Sequence, residues 1–414
     1  MSQGATPAES APATTGARVP WVFLVGIFLL VKVLATTVGV VGIEAAKSAV
    51  DIGGIGHYQG SHIGPFNMWF QWDSRWYAEL ARADWFASLS PDARSYLDHA
   101  RTDPNFHAGT PQELHRWAFF PLFPLLAKVL GIVLFGSETL AMAVIANVSL
   151  FGCLVLIYQL GFHHFGNEQD ARRSVVALAA LPMSFLLQSA MTESLFLLLF
   201  MATMLLALRE QWWGAAACGY LLALTRATGV LVVIPLLVVV LSRRRPGPVA
   251  WPRYLAALPA VFAPLLGWST FAGWCWWRTG DLLAYNHIQR AGWYVSFDPF
   301  RPVRDTWGAG ASPMLAVKLG FVVLVLATLA LGARLLPAAH AVAGALLVLV
   351  PLSIGANWAD SILRYLTVVY PVALVAVALV RRRPAIAPYL LTASVALQAC
   401  FLLVWSWSFT FQII

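Results

Sequence analysis

Long apolar runs separated by short polar punctuation dominate the chain. They recur near 20–43, 119–135, 138–162, 173–189, 192–208, 212–225, 227–242, 254–277, 314–333, 338–355, 362–380 and 386–409. Each predicts a helix, and several are shorter than the ~20 residues that a helix perpendicular to a bilayer needs. Helices that stop short inside a bundle are common where they line a cavity. The expected fold is an all-α polytopic membrane protein, a bundle of about 11–12 transmembrane helices. The first run is too long for a signal-peptide core and lacks a clear cleavage site, so it reads as a retained anchor. Residues 1–18 are rich in Ala, Thr, Ser, Pro and Gly, contain no aromatic residue, and read as a disordered cytoplasmic tail. The rest, 19–414, reads as one transmembrane domain.

The polar punctuation sets an orientation. Arg172-Arg173, Arg209, Arg243-Arg244-Arg245, Arg334 and Arg381-Arg382-Arg383 flank apolar runs, and arginines collect on cytoplasmic flanks. Every cluster is satisfied if 119–135 does not fully cross and 212–242 crosses twice around Thr225-Arg226. That arrangement has about eleven crossings, with the N-terminus inside and the C-terminus outside. A full crossing by 119–135 makes about twelve and leaves one cluster on the wrong side. Pro121 and Pro124 in FFPLFPLL favour a kinked or partial segment. The polar segments 44–118 and 278–313 then become extracytoplasmic loops, the first of them carrying amphipathic helices. NWADS at 357–361 and the turns at Met191–Ser194 and Thr225–Thr228 face the same side. No long-period repeat is present, which gives no support to a transporter of two inverted halves.

Composition sharpens this picture. The 414 residues are 59% hydrophobic and 11% charged, with mean hydropathy +0.72, against about 25% charged for soluble domains. The net charge of +8 comes largely from arginines at the ends of apolar runs, so it does not signal nucleic acid. Cys153, Cys218, Cys275 and Cys400 all lie in apolar runs without a CxxC spacing and read as small buried hydrophobes.

Candidate chemistry begins in the first outer loop, where residues 67–85 read NMWFQWDSRWYAELARADW. On a helix, Trp69, Asp73, Trp76 and Leu80 share one face, an apolar stripe interrupted by a carboxylate. A stripe that only rests on lipid has no use for that group. Burial raises the pKa of a carboxyl and suits it to general-base work. An interfacial helix with an aromatic belt accounts for the tryptophans equally well. His115 and Arg116 stand where the chain re-enters the membrane, and suit either an external phosphate or a basic helix flank. Glu193, between two apolar runs, is either a functional acid or a helix-start acid stabilised by the dipole. Arg226 lies in LALTRATGVLVV and needs an anion. Arg364 is open to two readings, an i,i+4 pair with Asp360 or a second phosphate ligand. His287 and Arg290, between two spans, are further candidates for an anionic headgroup. HExxH, Walker and dinucleotide motifs are missing, and the nine histidines show no metal-ligand spacing. His163-His164 reads as a polar helix end.

Taken in order, five stretches resemble a known family. They are Trp72-Asp73-Ser74 with Trp76-Tyr77, Ala118-Phe119-Phe120-Pro121-Leu122-Phe123-Pro124-Leu125, Thr192-Glu193-Ser194-Leu195-Phe196, Leu224-Thr225-Arg226 with Gly229, and Arg364-Tyr365 before Pro371. They resemble the PIG-V mannosyltransferases of GPI-anchor assembly and their bacterial relatives, in the GT-C superfamily of polytopic glycosyltransferases. Each motif is short, but five in order across 20–380 are specific. The resemblance implies a GT-C-like bundle in a bacterial plasma membrane with an outward-facing site. It also implies a polyprenyl-phosphate donor, most often of mannose, and Asp73 as catalytic base. Where the family commonly carries Gly-Tyr, this chain has Ala83-Asp84-Trp85, which leaves the acceptor open among lipid, glycan and protein.

On that expectation Asp73 takes the acceptor's hydroxyl proton. Arg226, Arg364, Arg116 and His115 bind the donor phosphate. Trp72, Trp76, Trp117 and Glu193 bind sugar or acceptor. No cofactor is expected, and the arginines make a metal unnecessary. A transporter or flippase is the competing class. It accounts for Arg226 and Glu193 as an intramembrane coupling pair, but not for an aromatic outer segment centred on Asp73. A scaffold subunit predicts that Asp73 and Arg226 tolerate replacement.

Overall fold

A computed structural model describes residues 18–51, 64–242, 251–308, 313–354 and 358–408. The tail read over 1–18, apart from Arg18, and the cluster Arg243–Arg245 lie outside the described residues. Apart from an isolated bridge between Phe297 and Ile354, the regular structure among the described residues is helical. In chain order the helices are α1 (Trp21–Asp51), α2 (Ser74–Arg82), α3 (Pro91–Thr102), α4 (His115–Ala118), α5 (Leu122–Val133) and α6 (Glu138–Phe165). There follow α7 (Glu168–Ala180), α8 (Glu193–Leu208), α9 (Trp212–Ala223), α10 (Val233–Ser242), α11 (Trp251–Thr279) and α12 (Ala284–Trp293). The last are α13 (Arg301–Trp307), α14 (Pro313–Gly332), α15 (Ala338–Ser353), α16 (Trp358–Leu366), α17 (Pro371–Arg382) and α18 (Ala387–Ser408).

Among the described residues, five segments are long and apolar enough to cross a membrane: Trp21–Ala46, Glu138–Phe165, Trp251–Thr279, Pro313–Gly332 and Pro384–Trp407. Gln112–Ala118 and Leu122–Val133, bent by 113°, make a sixth if they are one broken span. Fewer long spans appear than the apolar runs suggested, because several runs are interrupted. The run 173–189 splits after α7, where Leu181 precedes Pro182 and leaves the α region, and resumes as a 3-10 turn at Ser184–Gln188. Glu193–Leu208, Ala227–Ser242 and Ala338–Ser353 are apolar but short. α1 runs past its apolar part to Asp51, so the polar segment expected to begin at residue 44 starts within this helix.

Local signals explain the sharp ends. Ser137 Oγ accepts from Leu140 N at 3.2 Å to open α6, and Gly166 closes it in the left-handed region at φ 72°. Asn167 then caps α7 by accepting from Asp170 N at 2.9 Å. Two apolar cores result among the described residues. The larger fills the bundle with residues such as Leu154, Ile157, Phe200, Val369 and Leu374. Since lipid tails are as apolar as leucine, this core stabilises by packing rather than by escape from water. The smaller core lies under α3, α4, α12 and the end of α11, and includes Tyr96, Leu97, Trp117, Phe271 and Ile288. It forms a cap on the bundle. Tyr96 hydrogen-bonds Thr110 Oγ1 at 3.1 Å, and burial pushes its hydroxyl pKa above the ordinary value.

The opposite end carries the arginines that flank the apolar runs at Arg172, Arg173 and Arg381. Asp170 bonds Arg173 at 2.8 Å and Arg381 at 3.1 Å. His164 does more than terminate a helix. Its Nε2 lies 2.6 Å from Nε2 of the buried His340, whose Nδ1 meets the Tyr370 hydroxyl at 2.6 Å. Cys153 and Cys275 are buried as expected, whereas Cys400 is exposed on α18.

Candidate functional site

Three interruptions in the helical framework meet at one place. Between Asn67–Phe70, a 3-10 turn, and α2, Trp72 adopts φ 62°, a left-handed conformation that breaks the helix. The continuous stripe expected for Trp69, Asp73, Trp76 and Leu80 therefore does not form. Asp73 sits at the start of α2, and its carboxylate turns away from the helix instead of capping it. The second interruption is the bend between α4 and α5, and the third follows α9 at Leu224. Leu122 N donates to Leu224 O at 3.0 Å, so these two breaks hold each other. Arg226 is extended, at φ −156°, and points into the space between them.

A charged cluster occupies this junction. Arg364, on α16, donates through Nη1 to Asp73 Oδ2 at 2.6 Å, and its Nε lies 3.2 Å from Glu193 Oε1. Arg226 donates through Nη1 to that same Glu193 oxygen at 2.7 Å. Two guanidiniums thus balance two carboxylates. Exposure rises from Glu193 (2%) through Arg364 (8%) and Arg226 (15%) to Asp73 (29%), so the cluster opens at Asp73. The Tyr365 ring lies 4.9 Å from the Arg226 guanidinium and 5.5 Å from that of Arg364, and fixes both cations.

Asp73, Arg226 and Arg364 form the charged wall of a cleft of about 190 Å³. Tyr77, Phe119, Phe120, Tyr285, Trp293 and Tyr365 supply aromatic faces, with Gln289 and Thr228 among them. Such a cleft can take a ring with polar edges and an anion beside it. Among the described residues, no group of three or more His, Cys, Asp or Glu comes together as a metal site.

The other candidates lie elsewhere. Glu193 stands behind the arginines and does not line the cleft. His115 Nδ1 is 3.0 Å from Glu79 Oε1, with the Trp76 ring 4.4 Å away. Arg116 donates to the carbonyls of Glu113, at 2.9 Å, and Asp84. Its guanidinium is spent on holding the segment between α2 and α4, and it faces a separate cleft of about 940 Å³ with Arg75 and Glu79. Neither His115 nor Arg116 reaches the charged cluster. Trp117 is fully buried against Trp274 at 5.4 Å, in the centre of the cap core, where no sugar can reach it. Trp76 packs behind Phe119, and Trp72 packs against the bundle core. Asp360's side chain lies outside the described residues. On α12, His287 bonds Asp281 at 2.6 Å and Arg290 donates to Ala100 O. The face of α12 turned to the cleft is Tyr285, Gln289 and Trp293, spaced i, i+4, i+8. That spacing gave no signal on its own, because α12 carries polar or aromatic residues on its other face too, His287 and Arg290 among them.

The long apolar helices make the protein an all-α, multi-pass integral membrane protein. Compared with protein-family models and with curated proteins, the sequence matches none.

Proposed function

We propose that the protein is an inverting GT-C-type glycosyltransferase of the PIG-V kind, which moves a sugar, most often mannose, from a polyprenyl-phosphate donor to an acceptor hydroxyl on the outer face of the membrane. The short apolar helices then count as partial or tilted crossings that complete the bundle. One observation carries this reading. A carboxylate at the mouth of an aromatic cleft is held at 2.6 Å by a guanidinium that a phosphate would also bind. Transfer from a lipid phosphate needs these two groups side by side, a base for the hydroxyl and a cation for the leaving phosphate.

The pairing also gives the order of events. The donor phosphate competes with Asp73 for Arg364 and joins Arg226 on its exposed edge. Asp73, released, accepts the proton of the acceptor hydroxyl. The hydroxyl oxygen attacks the anomeric carbon as its bond to the phosphate oxygen breaks, with inversion. The electron pair leaves on that oxygen, where Arg226 and Arg364 stabilise the charge, and Asp73 keeps the proton. Glu193 holds both arginines in place and touches neither substrate.

A transporter for an anionic lipid is the second reading, favoured by the buried Arg226–Glu193 pair. The two separate on Asp73→Asn. With polyprenyl-phosphate-mannose and folded protein, the wild type releases mannose to acceptor or water. The variant loses about 10²–10⁴-fold of that rate. Normal turnover by Asp73→Asn removes Asp73 as the base. Absence of transfer by the wild type with any lipid-linked sugar sinks the transferase reading.

A further inference from the structure

We propose that the bundle holds an anionic phospholipid at its arginine-bearing end, with an acyl chain in the groove between α14 and α18 and the headgroup at Arg172 and Arg173. The groove, a cavity of about 640 Å³, has α7 and α17 as its floor. Its charged and amide groups, Gln169, Arg172 and Arg173, lie at one end. Beyond them the wall is apolar, with Val176, Ala177, Val325 and Leu397. The hydroxyls in the wall are satisfied by backbone: Ser394 Oγ donates to Ala180 O at 2.7 Å, Thr328 Oγ1 to Leu324 O at 2.8 Å, and Thr367 Oγ1 to Met183 O at 3.3 Å. An apolar channel with cations at one mouth fits an amphiphile with an anionic head.

Charge at the mouth favours that head. Arg172 bonds Glu168 at 2.7 Å, and Arg173 and Arg381 share Asp170. Three guanidiniums meet two carboxylates, and Arg382 and Arg383 follow on the surface. Arg172 and Arg173 remain 46% and 39% exposed, so each keeps donors for a phosphate. Length identifies a single-leaflet lipid. From Ala387 to Leu397, α18 rises about 15 Å, half of the ~30 Å hydrocarbon thickness. Phe321 and Phe401, 5.7 Å apart and edge to face, close the far end. The inner end of the groove reaches Leu366 and Thr367, and Thr367 N donates to Arg364 O at 3.1 Å. An acyl chain there braces the turn that carries Arg364. The inference holds whatever reaction the charged cluster serves.

Native mass spectrometry of the full-length protein, offered equimolar phosphatidylglycerol and phosphatidylcholine, tests it. The wild type retains phosphatidylglycerol about thirtyfold over phosphatidylcholine, the scale expected for two arginines near an anionic head. Arg172→Gln with Arg173→Gln brings the ratio close to one, while Asp170 keeps Arg381. Ala393→Phe, on the exposed side of α18, fills the groove and removes retention of both lipids. Equal retention of the two lipids by the wild type overturns the proposal, as does unchanged retention by Ala393→Phe. Displacement of phosphatidylglycerol by equimolar polyprenyl phosphate also overturns it, and assigns the groove to a prenyl tail.

Discussion

Glu193 and Asp73 share the arginines but sit in different surroundings. Glu193 Oε1 takes a guanidinium from each side and is almost wholly enclosed, whereas Asp73 stands at the rim of the cleft. Removing one member of a buried ion cluster leaves charge uncompensated in a medium that cannot solvate it. Glu193→Gln is therefore expected to destabilise the fold by about 3–5 kcal/mol, read as a lower unfolding midpoint in detergent. Asp73→Asn keeps an oxygen for Arg364 and stands at the open rim of the cleft, so it costs no more than ~1 kcal/mol of stability, although transfer is lost. Equal losses of midpoint in the two variants would mean that Asp73 is held for structure, and its role as base would go with it.

The elements meet at breaks, and it is the breaks that position the chemistry. At Gly229 an added Cβ would lie 2.3 Å from Leu222 O and 2.9 Å from Ala223 Cα, all backbone of α9. Nothing there can rotate away, so Gly229→Ala must push the turn that carries Arg226 off α9 and away from Glu193. The expected result is a loss of ~1–3 kcal/mol in stability, with transfer reduced although no polar group has changed. Wild-type turnover in Gly229→Ala would show that the turn is free to move. The breaks at Pro121 and at Thr225-Arg226 were legible in the sequence, because proline and a lone buried arginine each exclude an uninterrupted apolar helix. The need of Arg226 for an anion was legible for the same reason, and Glu193 supplies it. The phase of α12 was not. It carries polar or aromatic residues on both faces, and only packing against the cap decides that Tyr285, Gln289 and Trp293 face the cleft while His287 and Arg290 bind Asp281 and Ala100. Trp72 defeated the helical period in the same way, since a left-handed residue has no signature in a run of aromatics. The partner of Asp73 lies 291 residues away in the chain, beyond the reach of any local pattern.

At the scale of the molecule, the first and last long helices close the bundle beside the site. α1 and α18 cross where an added Cβ on Gly42 would lie 2.0 Å from Ser406 Oγ and 3.0 Å from Leu403 O. In lipid, helices associate through close packing, so a small residue at the crossing is worth more than an apolar one. α18 is also held at a second height, where Gln398 Nε2 donates to the carbonyls of Ala179 and Leu181, at 3.1 and 2.9 Å, left open by the end of α7. The seam reaches the chemistry through aromatics. Trp405 on α18 stacks on Trp69 at 5.8 Å, and Trp69 O accepts from Ala190 N at 2.9 Å. Trp69 and Ala190 lie just before Asp73 and Glu193 in the chain, so the crossing helps to set the distance between the two carboxylates. Gly42→Leu should part α18 from α1, lower the unfolding midpoint by ~1–3 kcal/mol equivalent and reduce transfer, although it touches neither substrate nor arginine. Gly26→Leu, on the same helix with nothing within 4 Å of its added Cβ, is the matched control and should change neither. If the two variants behave alike, the α1–α18 crossing does not govern the site, and the route from Trp405 to Asp73 carries no coupling.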